Sequence, residues 1–155
     1  MKLPHAIIEA AASEVLPGCR YLHGEQAQAN VDLDKMTPDD RIVYLDDKMP
    51  FRFAVNKYRV VSGAVYSCLL MLLVPSKLDD APEVREPRVA EMVDASARLM
   101  AAIGRHPDIS AVAMARPAEV MFNQFDLNAD GVTLYLDITR RGGLNYCLPP
   151  DQSQA

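Results

Sequence analysis

The stretch AEVMFNQFDLNADGVTLYLDIT, residues 118 to 139, contains two runs of alternating side-chain character joined by the segment DLNADG. An alternation with period two is typical of a β-strand that buries one face. The Asp130-Gly131 pair between such runs is a signal for a type I′ hairpin turn, because both turn positions need a positive φ. The stretch therefore predicts a β-hairpin near the C-terminus, with Asp130 and Gly131 as its structural turn.

The same letters also fit the ligand spacing of an EF-hand calcium loop. Asp126, Asn128, Asp130 and Asp137 stand at loop positions one, three, five and twelve. An EF-hand, however, ends its loop in a bidentate Glu and lies between two helices. The alternating flanks predict strands instead, which place Asp137 too far from Asp126 to close a loop. The sequence therefore predicts a turn here, with no metal site and no cofactor.

The composition is that of one domain with its own core. The chain has 155 residues, of which 50% are hydrophobic. The net charge of −5 and the lack of a long basic run argue against a protein that binds nucleic acid by neutralising phosphates. The longest apolar block, residues 63–75, is too short to cross a bilayer. The N-terminal apolar run contains Glu9 and Glu14, which does not fit a signal peptide.

Side chains that carry chemistry are scattered along the chain. The three cysteines show no CxxC spacing, which favours free thiols over a zinc site or a disulfide framework. His5, His23 and His106 stand far apart, and no nucleophile motif accompanies any of them. Paired aspartates flank predicted strands and linkers, where solvated turn charges explain them. The sequence therefore predicts no catalytic residue.

Several arginines surround the second predicted helix and the last predicted strand. Four of them are Arg88, Arg98, Arg140 and Arg141. A solvated rim is one interpretation of these charges. Because Arg is enriched at protein interfaces, a contact between subunits is the alternative.

The predicted order of elements is helix, strands, helix and strand hairpin. Apolar spacing predicts helices over residues 4–16 and 87–104, with Pro87 in the first turn of the second helix. The predicted strands before the hairpin cover residues 41–47, 51–55 and 64–75. The strand over 64–75 is apolar throughout, so it is placed in the middle of the sheet. The sequence thus predicts an α+β fold: a mainly antiparallel sheet with two helices packed on one face and a closing C-terminal β-hairpin.

A single domain is predicted over residues 1–140. It includes an extended loop and arm region near residues 20–62, which is rich in polar and turn-forming residues before residue 41. Residues 141–155 are predicted to form a C-terminal tail, because the chain ends in a polar segment.

Four segments resemble the tail terminator, or tail completion, proteins of long-tailed bacteriophages. They are RIVYLDDKMPFRF (41–53), GAVYSCLLMLLVPS (63–76), PRVAEMVDASARLMAAI (87–103) and EVMFNQFDLNADGVTLYLDIT (119–139). The last segment is similar to hairpins written N-x-F-D-x-N-x-x-G-V in proteins of tailed phages and prophages. The resemblance covers roughly residues 4 to 140 and includes the order of the elements.

This resemblance implies a structural virion protein rather than an enzyme. Proteins of that family form a ring, usually of six copies, at the head-proximal end of the tail tube. The implied partners are further copies of the chain, the tail tube protein and a neck or head–tail connector protein. DNA would pass through the ring lumen without specific binding, and no membrane is involved. The implied location is the tail or neck of the virion, which is assembled in the host cytoplasm.

In such a ring, the predicted contacts between subunits involve the arm from Asp46 to Ser62 and the segment from 20 to 40. The interface residues predicted from the arm and the arginines are Phe51, Phe53, Tyr58, Arg88, Arg98, Arg140 and Arg141. The closing hairpin is a further candidate surface.

Two other function classes remain open at this point. One is a small α+β domain that binds a ligand or acts in regulation, for which a monomer or dimer with an apolar pocket is expected. The other is an enzyme whose site is assembled from scattered Asp, His and Arg residues.

The turn interpretation of residues 126–137 predicts how the protein responds to calcium. We expect that millimolar Ca²⁺ leaves the melting temperature unchanged, because a ligand that does not bind the native state cannot stabilise it. A thermal unfolding series with Ca²⁺, and with Mg²⁺ as the control ion, measures this. A rise in melting temperature that is specific to Ca²⁺ contradicts the interpretation.

Overall fold

The computed structural model describes residues 3–24, 35–124 and 128–147, and within these ranges the chain forms two helices and six strands. The elements in chain order are α1 (Pro4–Val15), β1 (Arg20–Gly24), β2 (Ile42–Asp46), β3 (Phe51–Val55), β4 (Val60–Pro75), α2 (Pro82–Gly104), β5 (Ile109–Gln124) and β6 (Ala129–Cys147). The predicted α+β fold is confirmed.

The six strands form one sheet in the order β1-β2-β4-β6-β5, with β3 paired to β4 beside β2. β2 and β3 share one edge of β4, since β2 pairs with its second half and β3 with its first half. β6 follows the other edge of β4 from end to end. Every pairing is antiparallel except that of β1 with β2. The prediction of a mainly antiparallel sheet is therefore confirmed.

β4 occupies the middle of the sheet, as its apolar sequence predicts. Successive side chains point to opposite faces of a strand, and both faces of the second half of β4 are covered. Leu70 and Leu72 face the helices, whereas Met71 and Leu73 face the other way, and all four are buried. This double burial explains why the strand has no polar alternation between residues 68 and 75.

Both helices pack on one face of the sheet, which confirms that prediction. α1 buries Ile7, Ile8 and Ala11 against this face, and α2 buries Met92 and Leu99 beside them. The small residues of α2 that the core also includes are Ala95, Ser96 and Ala102. Small side chains allow a helix to approach its neighbours closely, so these residues bring α2 down onto β4 and β6.

α2 begins five residues earlier than predicted, at Pro82 instead of Pro87. Pro82 stands in the first turn, where the missing N–H group costs nothing. Pro87 lies inside the helix, where it removes the hydrogen bond to the carbonyl of Glu83. Both residues are exposed, so water can solvate that carbonyl.

The opposite face of the sheet is covered over only part of its area. A second small cluster of Ile42, Tyr44, Met71, Leu73 and Ala129 is buried there, with Met36 packed against it. Toward the other end of β4, Ser67 and Leu69 are partly exposed. The uncovered part of this face forms a shallow groove that is described below.

The closing hairpin exists, but its turn is not where the sequence predicts it. β5 pairs with β6 from Ile109 opposite Arg140 to Gln124 opposite Ala129, so Asp130 and Gly131 are strand residues. The positive φ values at this end belong to Asn123, at 56°, and Asn128, at 57°. Asn tolerates this region because its short polar side chain bonds locally. The predicted turn at Asp130 and Gly131 is therefore wrong by several residues.

Gly131 is needed for a different physical reason. A Cβ atom at this position would overlap the carbonyl oxygen of Leu72 on the neighbouring strand β4. The two backbones approach so closely here that only a residue without a side chain fits. Gly131 thus acts through close packing of β4 and β6, and not through a positive φ.

Two segments of the predicted domain plan need correction. β1 lies in a region predicted as surface loop, where it forms a parallel edge beside β2. Residues 141–147 continue β6 and pair with the start of β4, so the predicted tail does not begin at 141. The remainder of that tail, residues 148–155, lies outside the described residues, as do residues 25–34 of the predicted arm region.

The close approach at Gly131 leads to a prediction that separates the two explanations. We expect Gly131→Val and Gly131→Asn to destabilise the protein equally, each by about 2 kcal/mol or more. Urea unfolding measures the loss, with Gly104→Ala as the control, since a Cβ at Gly104 meets only Val112 at 3.9 Å. If Gly131→Asn were tolerated while Gly131→Val was not, a positive-φ turn would be the better explanation.

Candidate assembly surface

A β-hairpin that we call the arm, residues 48–62, extends one end of the sheet, and it is shorter than the predicted arm because it begins after Asp46 and Asp47. It consists of β3, a turn and the first residues of β4. Asn56 shapes the turn, because its side-chain oxygen accepts hydrogen bonds from the N–H groups of Tyr58 and Val60 at 2.9 and 3.1 Å. Asn side chains commonly bond the backbone in this way, so the register of the arm is defined.

The arm presents apolar side chains to solvent. The exposed fractions are 58% for Phe51, 56% for Phe53, 45% for Val55 and 73% for Tyr58. Phe51 packs edge-on against Phe53 and stacks on Tyr66 at a centroid distance of 5.7 Å. Exposed apolar side chains that cluster in this way indicate a surface suited to binding another molecule.

The arm also carries a strong charge of one sign. Its charged residues are Lys48, Arg52, Lys57 and Arg59, and it contains no acidic residue. Because the whole chain has a net charge of −5, the arm's four positive charges leave the rest of the chain with −9. Lys57 lies over the Tyr58 ring, 5.0 Å from its centroid. Aromatic residues and cations are thus combined at the tip.

Arg140 and Arg141 lie at the base of the arm, but their side chains are placed differently. Ala64 pairs with Phe53 on one side and with Arg140 on the other. The Arg140 side chain is 4% exposed and binds Asp108 at 3.2 Å. It points to the helix-packed face like Ile138 before it, so its prediction as a surface interface residue is wrong. Arg141 is exposed beside it.

Arg88 and Arg98 belong to the helix layer and not to the arm. Arg88 pairs with Asp80 at 2.9 Å, and Arg98 pairs with Asp94, one turn before it on α2, at 3.1 Å. Arg98 also donates to the Val15 carbonyl at the end of α1, which links the two helices. Phe51 and Phe53 therefore lie together on the arm and Tyr58 is exposed at its turn, whereas these two arginines lie elsewhere.

At the opposite end of the sheet, α2 and β5 border a cavity of about 250 Å³ that we call the notch. It is lined by Pro82, Arg85, Glu86 and Phe122. The Arg85 guanidinium lies over the Phe122 ring, 5.3 Å from its centroid. Phe122 is 49% exposed and Val120, two residues earlier on the same side of the strand, is 54% exposed. The notch is therefore a second apolar surface.

Arg85 is held in the notch by a buried carboxylate. Its Nε and Nη2 atoms donate to the two oxygens of Asp130 at 2.8 and 2.5 Å, and Asp130 is completely buried. The Asn123 N–H donates to the same carboxylate at 2.9 Å. Burial by itself would raise the pKa of Asp130, but these hydrogen bonds outweigh it and place the pKa below its usual value. The pair ties the start of α2 to the closing hairpin.

The structure brings two of the three histidines together and leaves the third apart. His5 on α1 and His23 on β1 stack with their ring centroids 5.1 Å apart. His106 follows α2, where its Nδ1 accepts a hydrogen bond from the Asp108 N–H at 3.2 Å. Over the ranges that the structure describes, no three His, Cys, Asp or Glu side chains form a group that could hold a metal ion.

The cysteines are free thiols within the described ranges. Cys68 is buried, and this burial, followed by the nearby charge of Asp137, raises its pKa to about 12. A thiol with a raised pKa is a poor nucleophile, because the thiolate is the reactive form. Cys19 is partly buried and Cys147 is exposed.

The aspartates of the calcium interpretation have other partners. Asp130 binds Arg85, and Asp137 accepts a hydrogen bond from Ser67 at 2.7 Å and pairs with Arg52 at 3.2 Å. The two aspartates are seven residues apart on one strand, which separates them by roughly 23 Å. Asp126, the first ligand of the predicted loop, lies outside the described residues.

The uncovered part of the sheet contains the groove mentioned above, with a volume of about 300 Å³. Its lining includes Lys48, Pro50, Ser67, Leu69, Arg116 and Tyr135. Arg116 lies 3.3 Å from the centroid of the Tyr135 ring, and the Tyr135 hydroxyl donates to Glu119 at 3.1 Å. The groove is shallow and open to solvent.

No protein-family model matches the chain, and no curated protein matches it either. Neither described helix is long and apolar enough to cross a membrane. The features of the fold and its surfaces therefore carry the functional argument.

The sequence pattern alone does not reveal the notch. Arg85 stands in a charged, proline-rich segment, and Asp130 looks like a turn residue, so nothing in the spacing links the two. A signal was present in the second run of the hairpin, where Asp130 falls on the same side as Val132 and Leu134. An acidic residue on an apolar face requires a buried partner.

The buried pair predicts a specific dependence of stability on pH. A carboxylate whose pKa is lowered by folding stabilises the native state above its unfolded pKa of about 3.9, and this stabilisation is lost as the pH falls through the folded value. We expect Asp130→Asn to lower the free energy of unfolding at pH 7 by on the order of 3 kcal/mol.

Urea unfolding from pH 7 to pH 3 measures this effect, and the difference between wild type and Asp130→Asn should shrink at the acid end. The control is Asp94→Asn, since Asp94 is 74% exposed in its pair with Arg98 and should have an effect below about 0.5 kcal/mol at every pH. A difference for Asp130→Asn that stays constant with pH contradicts the assignment.

Proposed function

We propose that the protein is a structural component of a tailed bacteriophage virion, a tail terminator or tail completion protein. In this role, copies of the chain form a ring, of six subunits in the resembled family, at the head-proximal end of the tail tube. The ring ends tube growth and joins the tube to the neck. The observation that carries the proposal is the arm, because its exposed aromatic residues need a protein partner.

The arrangement of the surfaces supports an assembly role. The arm is a hydrogen-bonded hairpin that continues the sheet, so the register of its backbone is defined. Such preorganisation lowers the entropy cost of binding. β5 adds a long, exposed edge strand, whose free backbone groups are available for contacts with neighbours. Both features suit a protein whose work is done by surface complementarity.

The resemblance of the sequence to tail terminators gives the proposal its particular form. The resembling segments correspond to β2 with the start of the arm, to β4, to α2 and to the closing hairpin. The net negative charge outside the arm suits a lumen through which DNA moves without binding, because like charges repel.

A ligand-binding domain is the second candidate function, and the groove on the sheet favours it. Lys48 and Arg116 border its apolar floor of Leu69 and Tyr135, which suits a small anionic ligand. The groove is open and shallow, whereas ligand sites usually enclose most of the ligand. The arm is more exposed and more apolar, so we place assembly first. The ion pair between Arg52 of the arm and Asp137 of β6 lies on the same face of the sheet as the groove. The arm therefore borders the groove.

An experiment with purified components tests the assembly role. We expect the protein to elute as a ring with a mass of about six times 17.1 kDa by light scattering. Added to polymerising tail tube protein from the same genome, it should bind tube ends in electron micrographs and stop their growth. Phe53→Ser should abolish the ring, because it removes apolar area from the contact.

The matched control is Val93→Ser, which changes a residue on α2 that is 46% exposed and lies outside the arm. A protein that remains a monomer at all concentrations and does not bind tube ends contradicts the proposal. Saturable binding of a small anion that Arg116→Ala abolishes, without assembly, favours the ligand-binding alternative.

A further inference from the structure

We propose that the contact between neighbouring copies is head-to-tail, with the arm of one copy seated in the notch of the next. This proposal rests on the self-association in the proposed function and names the two surfaces that meet. The occupant of the notch is therefore a second copy of this chain, and the inserted group is the Phe51 and Phe53 pair of the arm, with Tyr58 at the turn of the hairpin.

The arm and the notch lie at opposite ends of the sheet. The arm lies at the start of β4, where Val55 pairs with Val61, and the notch lies at its end, where Asp130 pairs with Val74. Thirteen residues of extended strand separate these points, which corresponds to about 40 Å. Two surfaces at opposite ends of one rigid sheet cannot meet within a subunit, but they can join successive subunits.

The arm and the notch both expose apolar side chains. Phe53 and Tyr58 are exposed on the arm, while Val120 and Phe122 are exposed beside the notch. Aromatic residues at the centre of an interface provide most of its binding energy when they fill a cavity. The notch supplies such a cavity, with a volume of about 250 Å³.

The arm and the segment beside the notch carry opposite charge. The arm has four positive charges and no negative one, although Asp137 of β6 offsets the charge of Arg52. The segment that borders the notch contains Asp79, Glu83 and Glu86. Arg85 does not cancel this acidity, because its charge is matched by the buried Asp130. Lys77 is the other cation of this segment, so an acidic excess remains. Opposite charges across a contact select the partner and its orientation.

The same charges argue against the other simple arrangement. In a two-fold contact the same patch would meet itself, so an arm-to-arm pair would bring two cationic arms together, in each of which Asp137 offsets the charge of Arg52. A head-to-tail contact avoids this repulsion. Such contacts close into a ring when the rotation between copies permits it, and otherwise they continue as a filament.

DNA is another partner that a basic arm can contact. A gel-shift measurement distinguishes DNA binding from self-association. We favour a protein surface because the four cations are interleaved with Phe51, Phe53 and Val55 on a hairpin, and because the chain carries its own acidic counterpart. A single-stranded or duplex DNA ligand would leave the apolar notch unexplained.

Mixing two variants tests the head-to-tail contact. Phe53→Asp disables the arm and leaves the notch intact, whereas Phe122→Asp disables the notch and leaves the arm intact. We expect each variant alone to be a monomer and an equal mixture to form a dimer of twice 17.1 kDa that grows no further. The reason is that only one competent arm and one competent notch remain in each pair. Val93→Asp is the control and should assemble like the wild type.

An exchange of charges tests the same contact without relying on Phe122→Asp, in case that variant does not fold. Lys57→Glu and Glu86→Lys should each weaken self-association by about tenfold or more. The double variant Lys57→Glu/Glu86→Lys should recover most of the loss, because the opposite charges face each other again. Circular dichroism verifies the fold of every variant.

The self-association measurements overturn the proposal in three cases. These are wild-type assembly by Phe122→Asp, a mixture of two folded variants that remains monomeric, and a charge exchange without recovery. Gel-shift binding of DNA that Phe53→Asp abolishes while assembly is unchanged also overturns it, and it assigns the arm to DNA.

The two sets of experiments distinguish a wrong arm–notch contact from a wrong tail role. If the wild type ends tube growth but the exchanged charges have no effect, the contact is wrong and the tail role stands. If the exchange controls assembly but the protein never binds tubes, the contact stands and the tail role is wrong.

Discussion

The pairing of β4 with β6 is the interaction on which the rest of the structure depends. The two strands match from Val60 opposite Cys147 to Pro75 opposite Ala129. This pairing gives the helices a common surface, supports the arm at one end and positions the notch at the other. It requires glycine where the two backbones come closest, at Gly131 and again at Gly63, where a Cβ atom would overlap the Arg140 carbonyl.

The two ends of this strand pair differ in their chemistry. At the start of β4 the arm carries exposed aromatic residues and only positive charge. At the end of β4, Arg85 and Asp130 use their charges on each other, which fixes α2 against the hairpin and leaves Glu83 and Glu86 as the charges toward solvent. A buried ion pair of this type adds little net stability, because desolvation offsets its attraction. Its effect is to define which groups the notch presents.

The sequence predicts the structure best where a single periodic pattern of side chains determines a strand or a hairpin. The apolar run of β4 predicts its central place, and the alternation on both sides of residues 125–128 predicts the closing hairpin. The sequence predicts the structure least well where contacts with residues far away in the chain determine the conformation. Asp130 and Gly131 have the local signature of a turn, yet Arg85 and the Leu72 carbonyl make them strand residues. Arg140 looks like a surface charge, yet the continuation of β6 places it inside.

The sequence by itself determined the fold class, the two helices, the central strand and the aromatic character of the arm. These features follow from side-chain periodicity and composition, which act over a few neighbouring residues. Only the tertiary structure decided the position of the closing turn, the Arg85–Asp130 pair and the separation of arm and notch to opposite ends of the sheet. Each of these depends on contacts between residues far apart in the chain, and local patterns contain no information about such contacts.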